Sequence, residues 1–350
     1  MKTPHKGRGA QINPNNPFDK LQKELNRDIQ DLAEEAAGET EYIPVYPKTI
    51  LNKVDSPDIP LEYSMNPYQG CEHGCVYCYA RNTHPYWGYS AGLDFERKIL
   101  VKHDAPKILE KTIKHPKWKA TPIMFSGNTD CYQPAEQKYQ ITRQMLEVLW
   151  KYRHPVGLIT KNKLILRDID ILEKMAEHNL VHVAISITTL EEPLRRLLEP
   201  RTSSVLGRLD AIEKLSEKGI PVMAMAAPII PGLNEHEIFS IAEETAKRGA
   251  LSIAYTMVRL NGDIGDIFAD WVERTYPDRK DKILNKIKSC HDGQLSDSRY
   301  GKRMVGEGQI AESIQQQMRL AKKKFFEGKK SPAYNCEMHE GYKSAQMRLF

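Results

Sequence analysis

The sequence predicts an α/β fold in which six strand–helix units form a partial barrel, smaller than the eight-stranded kind. Three observations lead there. Short, nearly continuous apolar runs bounded by turn residues recur along the middle of the chain, as expected of strands buried on both faces. Between them lie segments with apolar residues at helical spacing. Polar residues collect at the C-terminal ends of the runs, where an α/β barrel builds its site.

Residues 1–60 read as an N-terminal extension, wrapped on the core or trailing from it. It holds a polar helical pattern around Asp19–Ala37 and a proline-rich stretch, Ile43–Pro47. The barrel core is expected over 61–264. Its first strand falls near Leu61–Met65, and the next five are Thr121–Gly127, Val156–Thr160, Val181–Thr188, Pro221–Ala227 and Leu251–Arg259. The helices between them are expected over Ala135–Arg153, Arg167–Asn179, Ser203–Lys218 and Glu235–Arg248. In the second, Ile169, Leu172 and Met175 lie three apart. Such alternation implies right-handed crossovers between parallel strands. Residues 265–350 read as a mostly helical region. It carries a basic stretch, Lys322–Lys330, and then Cys336. A charge run of that kind is ordinarily a solvated face, with nucleic-acid contact as the alternative.

With 350 residues, 40% of them hydrophobic, the chain can bury a sizeable core. No apolar run approaches the roughly 20 residues needed to span a bilayer. The polar start MKTPHKGRGAQINPNN lacks a signal-peptide apolar stretch, so a cytoplasmic protein without membrane contact is expected. The net charge of +5 permits an anionic partner without demanding one.

Three of the six cysteines crowd into Cys71–Cys78, while Cys131, Cys290 and Cys336 are scattered. That is not a disulfide framework, and in a cytosolic chain it reads as metal binding. The stretch runs from Asn66 through NPYQGCEHGCVYCYAR to Arg81. Three thiolates suit an iron–sulfur cubane in which one iron stays open to chelate a small molecule. Two other readings stand beside it. The i, i+4, i+7 spacing would also line one buried helix face, although Pro67, Gly70 and Gly74 oppose a regular helix. A zinc ion would need a fourth ligand from His73, His84 or Cys131, and the spacing matches neither the ferredoxin run nor paired zinc-ribbon motifs.

The order Cys71, three residues, Cys75, one residue, Tyr77, Cys78 resembles the radical S-adenosylmethionine (SAM) signature, in which an aromatic residue precedes the third cysteine. Gly127–Pro134 (GNTDCYQP) and Pro228–Asn234 (PIIPGLN) resemble elements of the spore photoproduct lyase-like branch, often labelled as DNA repair photolyase-like. The likeness runs from about Asn66 to Leu260. The resemblance implies a [4Fe–4S] cluster on Cys71, Cys75 and Cys78 and reductive cleavage of SAM to a 5′-deoxyadenosyl radical that abstracts hydrogen from a substrate. It also implies an external electron donor of flavodoxin or ferredoxin type. By the same likeness, backbone beside Tyr77 would contact adenine, and Gly127, Asn128 and Thr129 would receive the SAM amino group. Lys161 would neutralise the SAM carboxylate, with Arg201 a second cation for it. Ser186 would hold the ribose, and the turn containing Pro231 would lie against adenine.

Polar groups recur at one end of the predicted strands: Ser126–Asp130, Thr160–Asn162, Ser186 with Thr188, Pro228–Gly232 and Arg259. Cys131 departs from the branch, whose members more often carry proline there. A thiol at that place would donate hydrogen to a substrate radical, or else pack as a small apolar residue. The aromatics from Tyr77 to Tyr89 would shield a cluster from water or stack on bases. Lys161, Arg201 and Arg259, with Lys322–Lys330, suggest an anionic substrate or a nucleic acid. A non-catalytic iron–sulfur or zinc protein, acting as sensor or scaffold, is the reading from another class. The cysteine stretch predicts an oxygen-sensitive brown protein with about four irons per chain. Iron and sulfide assays after anaerobic reconstitution check it, and a colourless protein with stoichiometric zinc is the opposing result.

Overall fold

The computed structural model describes residues 5, 7–14, 39–59 and 61–347. The helix expected around Asp19–Ala37 lies outside these residues. The described residues form ten strands: β1 (Glu41–Pro44), β2 (Leu51–Lys53), β3 (Tyr63–Met65), β4 (Tyr68–Gln69), β5 (Lys98–Val101), β6 (Ile123–Phe125), β7 (Val156–Thr160), β8 (Val181–Ser186), β9 (Val222–Ile229) and β10 (Ser252–Met257). The six expected from the apolar runs are β3 and β6 to β10. They lie side by side in the order β10-β9-β8-β7-β6-β3, all parallel, and β2 adds antiparallel beside β3. Because β2 and β10 occupy opposite edges and do not pair, the sheet is a partial barrel.

Each crossover is helical, and its apolar face explains why. In the helix Ile141–Lys151, Ile141, Met145, Leu146 and Leu149 are buried, and in Val205–Glu217 Leu209, Ile212 and Leu215 are. These pack on sheet residues such as Leu158, Val183 and Ile185 in one continuous core. Two helices differ from expectation. The predicted Ala135–Arg153 is broken into Ala135–Tyr139 and Ile141–Lys151 by Gln140, whose φ is +52°. The Glu136 carboxylate causes the break, because it accepts from the Thr142 and Arg143 amides at 3.0 and 3.3 Å and so satisfies the new helix's first N–H groups. The predicted Arg167–Asn179 begins as a 3-10 turn over Lys163–Asp168 and becomes α-helical over Ile169–Ala176.

A second, three-stranded sheet has the order β1-β5-β4. Its strands, like β2, hold two to four residues and are too short for a periodic pattern. β4 delivers the chain directly into Cys71, so this sheet mounts the cysteine segment. The C-terminal region holds the helices Ile264–Thr275, Lys280–Ser289, Gln309–Phe326 and Glu337–Met347. Gln309–Phe326 packs on the helix Ile238–Lys247 and on β10. Lys322, Lys323 and Lys324 are exposed at its end, while Lys329 donates to the carbonyls of Ala246 and Ala250 at 3.0 and 3.2 Å. Among the described residues no helix is long and apolar enough to cross a membrane.

Ile185 is 1% exposed in central β8, whereas Leu206 is 74% exposed on the helix Val205–Glu217. Ile185→Ala should therefore cost about 2–5 kcal/mol by urea unfolding. Leu206→Ala should stay within about 0.5 kcal/mol.

Candidate active site

The cysteine segment is a series of turns, not a helix, so its thiols do not line a helix face. Gly74 permits one turn, with φ at +69° and the Glu96 carboxylate 2.9 Å from where a Cβ would sit. Arg81 fixes the segment from within. Its guanidinium is fully buried and donates to the Cys75 carbonyl from Nε (3.0 Å) and Nη2 (2.9 Å), and from Nη1 to the carbonyls of Ala91 and Gly92 (3.1 and 3.0 Å). Its Nη2 also pairs with Glu96 at 2.5 Å. Glu96 accepts in turn from the Gly9 and Ala10 amides, which ties residues 8–10 onto the back of the loop.

Cys71, Cys75 and Cys78 all line one cavity of about 350 Å³ at the C-terminal ends of the strands. None forms a disulfide. Burial pushes all three thiols above their ordinary range, so as thiolates they need a compensating cation or metal centre. Among the described residues, the trio whose ligand atoms lie within 4.8 Å of one another is Glu191, His236 and Glu237, outside this cavity. The three thiols are thus spread more widely than the sulfurs around one zinc ion, which at a Zn–S length of about 2.3 Å stand roughly 3.8 Å apart. The donor set, three buried and unbridged thiols on one cavity, fits a cluster. The zinc alternative also lacks its fourth ligand. His84 is buried against the rings of Tyr89 and Phe95 and does not line the cavity. Cys131 is fully buried off the cavity. His73 lines it, but its ring nitrogens face Asp130 at 3.4 Å and Asn162 at 3.3 Å. Burial pushes the His73 pKa down to about 4.

The strand ends converge on this cavity. Gly127, Asn128, Thr129, Lys161 and Ser186 line it together with Tyr77. Asn66 joins the cysteine segment to the turn after β6, since its Oδ1 accepts from the Asn128 and Thr129 amides at 2.9 and 3.2 Å. The Asn128 carboxamide donates to Gln69 and Thr83 at 3.0 and 3.1 Å. Gly127 has no room for a side chain, because a Cβ would stand 2.5 Å from that of Ser64. Asp130 fastens the turn after β7, accepting from Thr160 Oγ1 and the Lys161 amide, both at 2.8 Å. The Lys161 ammonium stands 6.0 Å from the centre of the Tyr77 ring.

Three expected site residues fall elsewhere. Cys131 is packed in the core under the turn, its amide bonded to Ser126 Oγ at 2.8 Å. Arg201 is drawn away by Glu72, at 3.3 Å, and does not line the cavity. Pro231 lies past the end of β9, and Pro228, within the strand, lines the cavity instead. Several residues had no role in the sequence reading. Glu199 is fully buried, accepts from Tyr77 Oη and from Thr188 Oγ1 (2.6 Å), and pairs with Arg208. Burial pushes its carboxyl up, but Arg208, Lys161 and the two hydroxyls outweigh that and hold it at about 2. Arg208 also donates to the Ser186 carbonyl at 3.0 Å, so one ion pair positions Tyr77 and the end of β8. Arg81, three residues after Cys78, was legible as part of the motif. Nothing in the sequence pointed to Arg208, or to Arg303 and Met304, which line the cavity from the C-terminal region.

A partial parallel barrel with three cysteines at its strand ends defines a class of metal-cluster enzymes. The Radical SAM superfamily model matches residues 65–245, and the chain belongs to that superfamily. Membership implies an enzyme that uses SAM and an iron–sulfur cluster. An uncharacterised protein of Mycobacterium tuberculosis is 30% identical over 66% of this chain and 69% of its own length. One of Methanocaldococcus jannaschii is 31% identical over 70% of this chain and 88% of its own. In structure the chain is similar to spore photoproduct lyase complexed with dinucleoside spore photoproduct, with a TM-score of 0.60, 21% identity and coverage of 83% and 84% of the two chains.

Glu199→Gln should leave Arg208 buried beside a neutral partner and cost about 3–5 kcal/mol. Urea unfolding at neutral pH measures the loss. A variant as stable as the parent would remove the ion pair from this account.

Proposed function

We propose that the protein is a radical SAM enzyme whose cavity holds a [4Fe–4S] cluster on Cys71, Cys75 and Cys78 and SAM against the strand ends. The observation that carries this reading is the meeting of three buried, unbridged thiols with Asn128, Lys161 and Ser186 around one cavity. Cys71, Cys75 and Cys78 would hold the cluster, which with one electron from a flavodoxin- or ferredoxin-type donor would supply reductive cleavage of SAM to methionine and a 5′-deoxyadenosyl radical able to take hydrogen from a substrate.

The chain's own residues bind and orient. Asn128 spends both amide hydrogens on Gln69 and Thr83, which leaves its carboxamide oxygen to accept from the SAM ammonium. Lys161, which makes no contact ion pair among the described residues, neutralises the SAM carboxylate. Ser186, fixed through Arg208, holds the ribose. Backbone at Tyr77 and the β9 end at Ala227 and Pro228, which line the cavity, would hold adenine. Ile59, Met225, Met257 and Met304 line the cavity and keep water from the reacting centre.

After anaerobic reconstitution, Cys→Ala at 71, 75 or 78 should abolish release of 5′-deoxyadenosine, while Cys290→Ala and Cys336→Ala keep it. Lys161→Met should weaken SAM binding roughly tenfold or more, the worth of a charge-assisted hydrogen bond. Equilibrium dialysis with labelled SAM measures it. Retained release in all three site variants would refute the assignment.

A further inference from the structure

The cavity holds more positive charge than SAM needs. Lys161 stands on the cysteine side, over Tyr77. On the β10 side, two residues beyond the strand, Arg259 also lines the cavity. Arg259 is half-buried and badly served. Its Nε is buried with no hydrogen-bond partner. Its Nη1 meets the Met304 thioether at 3.5 Å, and sulfur is a weak acceptor. Among the described residues no carboxylate pairs with it.

The neighbouring Arg303 is engaged. Its Nε donates to Asp58 Oδ2 at 2.5 Å, its Nη2 donates to Ser56 Oγ, and its guanidinium sits 4.5 Å from the Tyr300 ring centre. The Gly301 amide takes the other Asp58 oxygen at 2.7 Å, so both oxygens of Asp58 are held away from direct contact with Arg259 and reach it only as a more distant charge. The Met257 amide donates to the Met304 carbonyl at 2.8 Å and holds this loop against β10. Two guanidinium groups therefore line the same cavity, and among the described residues only Arg303 has a carboxylate in contact. Burial, with Arg303 beside it, pushes the Arg259 pKa below its ordinary value. A guanidinium offers its donors in a planar fork, and leaving the buried Nε unmet is costly until an oxyanion fills it.

We propose that Arg259 receives an oxyanion of the substrate, a phosphate or a carboxylate, at the β10 side of the cavity, with Arg303 clasped beside it by Asp58. This rests on the reading of the cavity as the site of SAM and substrate. It assigns the anion to the barrel mouth and not to Arg201, which Glu72 holds, nor to Lys322–Lys330, which do not line the cavity.

The test is calorimetric titration of the anaerobically reconstituted full chain, saturated with SAM, at low salt. The probes are inorganic phosphate, acetate and a dinucleoside monophosphate. Wild type should bind at least one, and the one preferred tells a phosphomonoester, carboxylate or phosphodiester source apart. Arg259→Gln should weaken that binding at least tenfold. Arg259→Lys, which keeps the charge but loses the fork, should fall between them. Iron content reports that both variants are assembled. Equal binding by Arg259→Gln and wild type overturns the proposal. So does a wild type that binds SAM but none of the three probes. A wild type that fails to bind SAM overturns the reading of the whole cavity as well, so the two failures are distinguishable.

Discussion

Everything at the site depends on one buried cation, the guanidinium of Arg81. The loop that presents the three thiols to the cavity is a series of turns, so its carbonyls have no helical partners and must find donors elsewhere. Arg81 supplies them. Its five N–H groups make five hydrogen bonds, to Cys75 twice, to Ala91, to Gly92 and to Glu96. Nothing on the group is left unsatisfied, which makes a full charge tolerable at zero exposure. Glu96 answers the charge and reaches the Gly9 and Ala10 amides, so these two residues are held against the cysteine loop.

The barrel adds direction. Parallel strands put all their C-terminal ends on one side, and the turns there are stitched to one another by polar side chains. Asn66 holds the turn after β6 to the cysteine segment, Asp130 holds that turn to the one after β7, and the Arg208–Glu199 pair holds β8 to Tyr77. The links around Tyr77 and β8 are buried, where a hydrogen bond is stronger and a broken one costs more, and those of Asn66 and Asp130 are part-buried. Residues that bind nothing themselves thereby set the positions of those that line the cavity.

Segments before and after the barrel strands meet beside the barrel's open side. Asp58 from the N-terminal part and Gly301 and Arg303 from the C-terminal part form a clasp beside β10. This edge of the sheet would otherwise expose unpaired backbone groups, and the Met257–Met304 bond covers part of it. The same loop brings Arg303 and Met304 to the cavity wall.

The sequence alone determined the six core strands, because a strand buried on both faces must be an apolar run, and the site's end of the barrel, because polar groups gather where the runs stop. It also determined the cysteine triad, whose spacing is local. It was silent on β1, β2, β4 and β5, which are too short to carry a period, and on the helix break at Gln140, which depends on where the Glu136 carboxylate turns. Only the tertiary structure decided which cation serves what. Lys161, Arg201 and Arg259 are alike as letters, yet Glu72 neutralises Arg201, Tyr77 lies under Lys161, and Arg259 is left facing the cavity. It also decided that Cys131 belongs to the core and that Glu199, 122 residues after Tyr77, is its partner. Charge and burial are properties of neighbours in space, and a linear sequence does not list them.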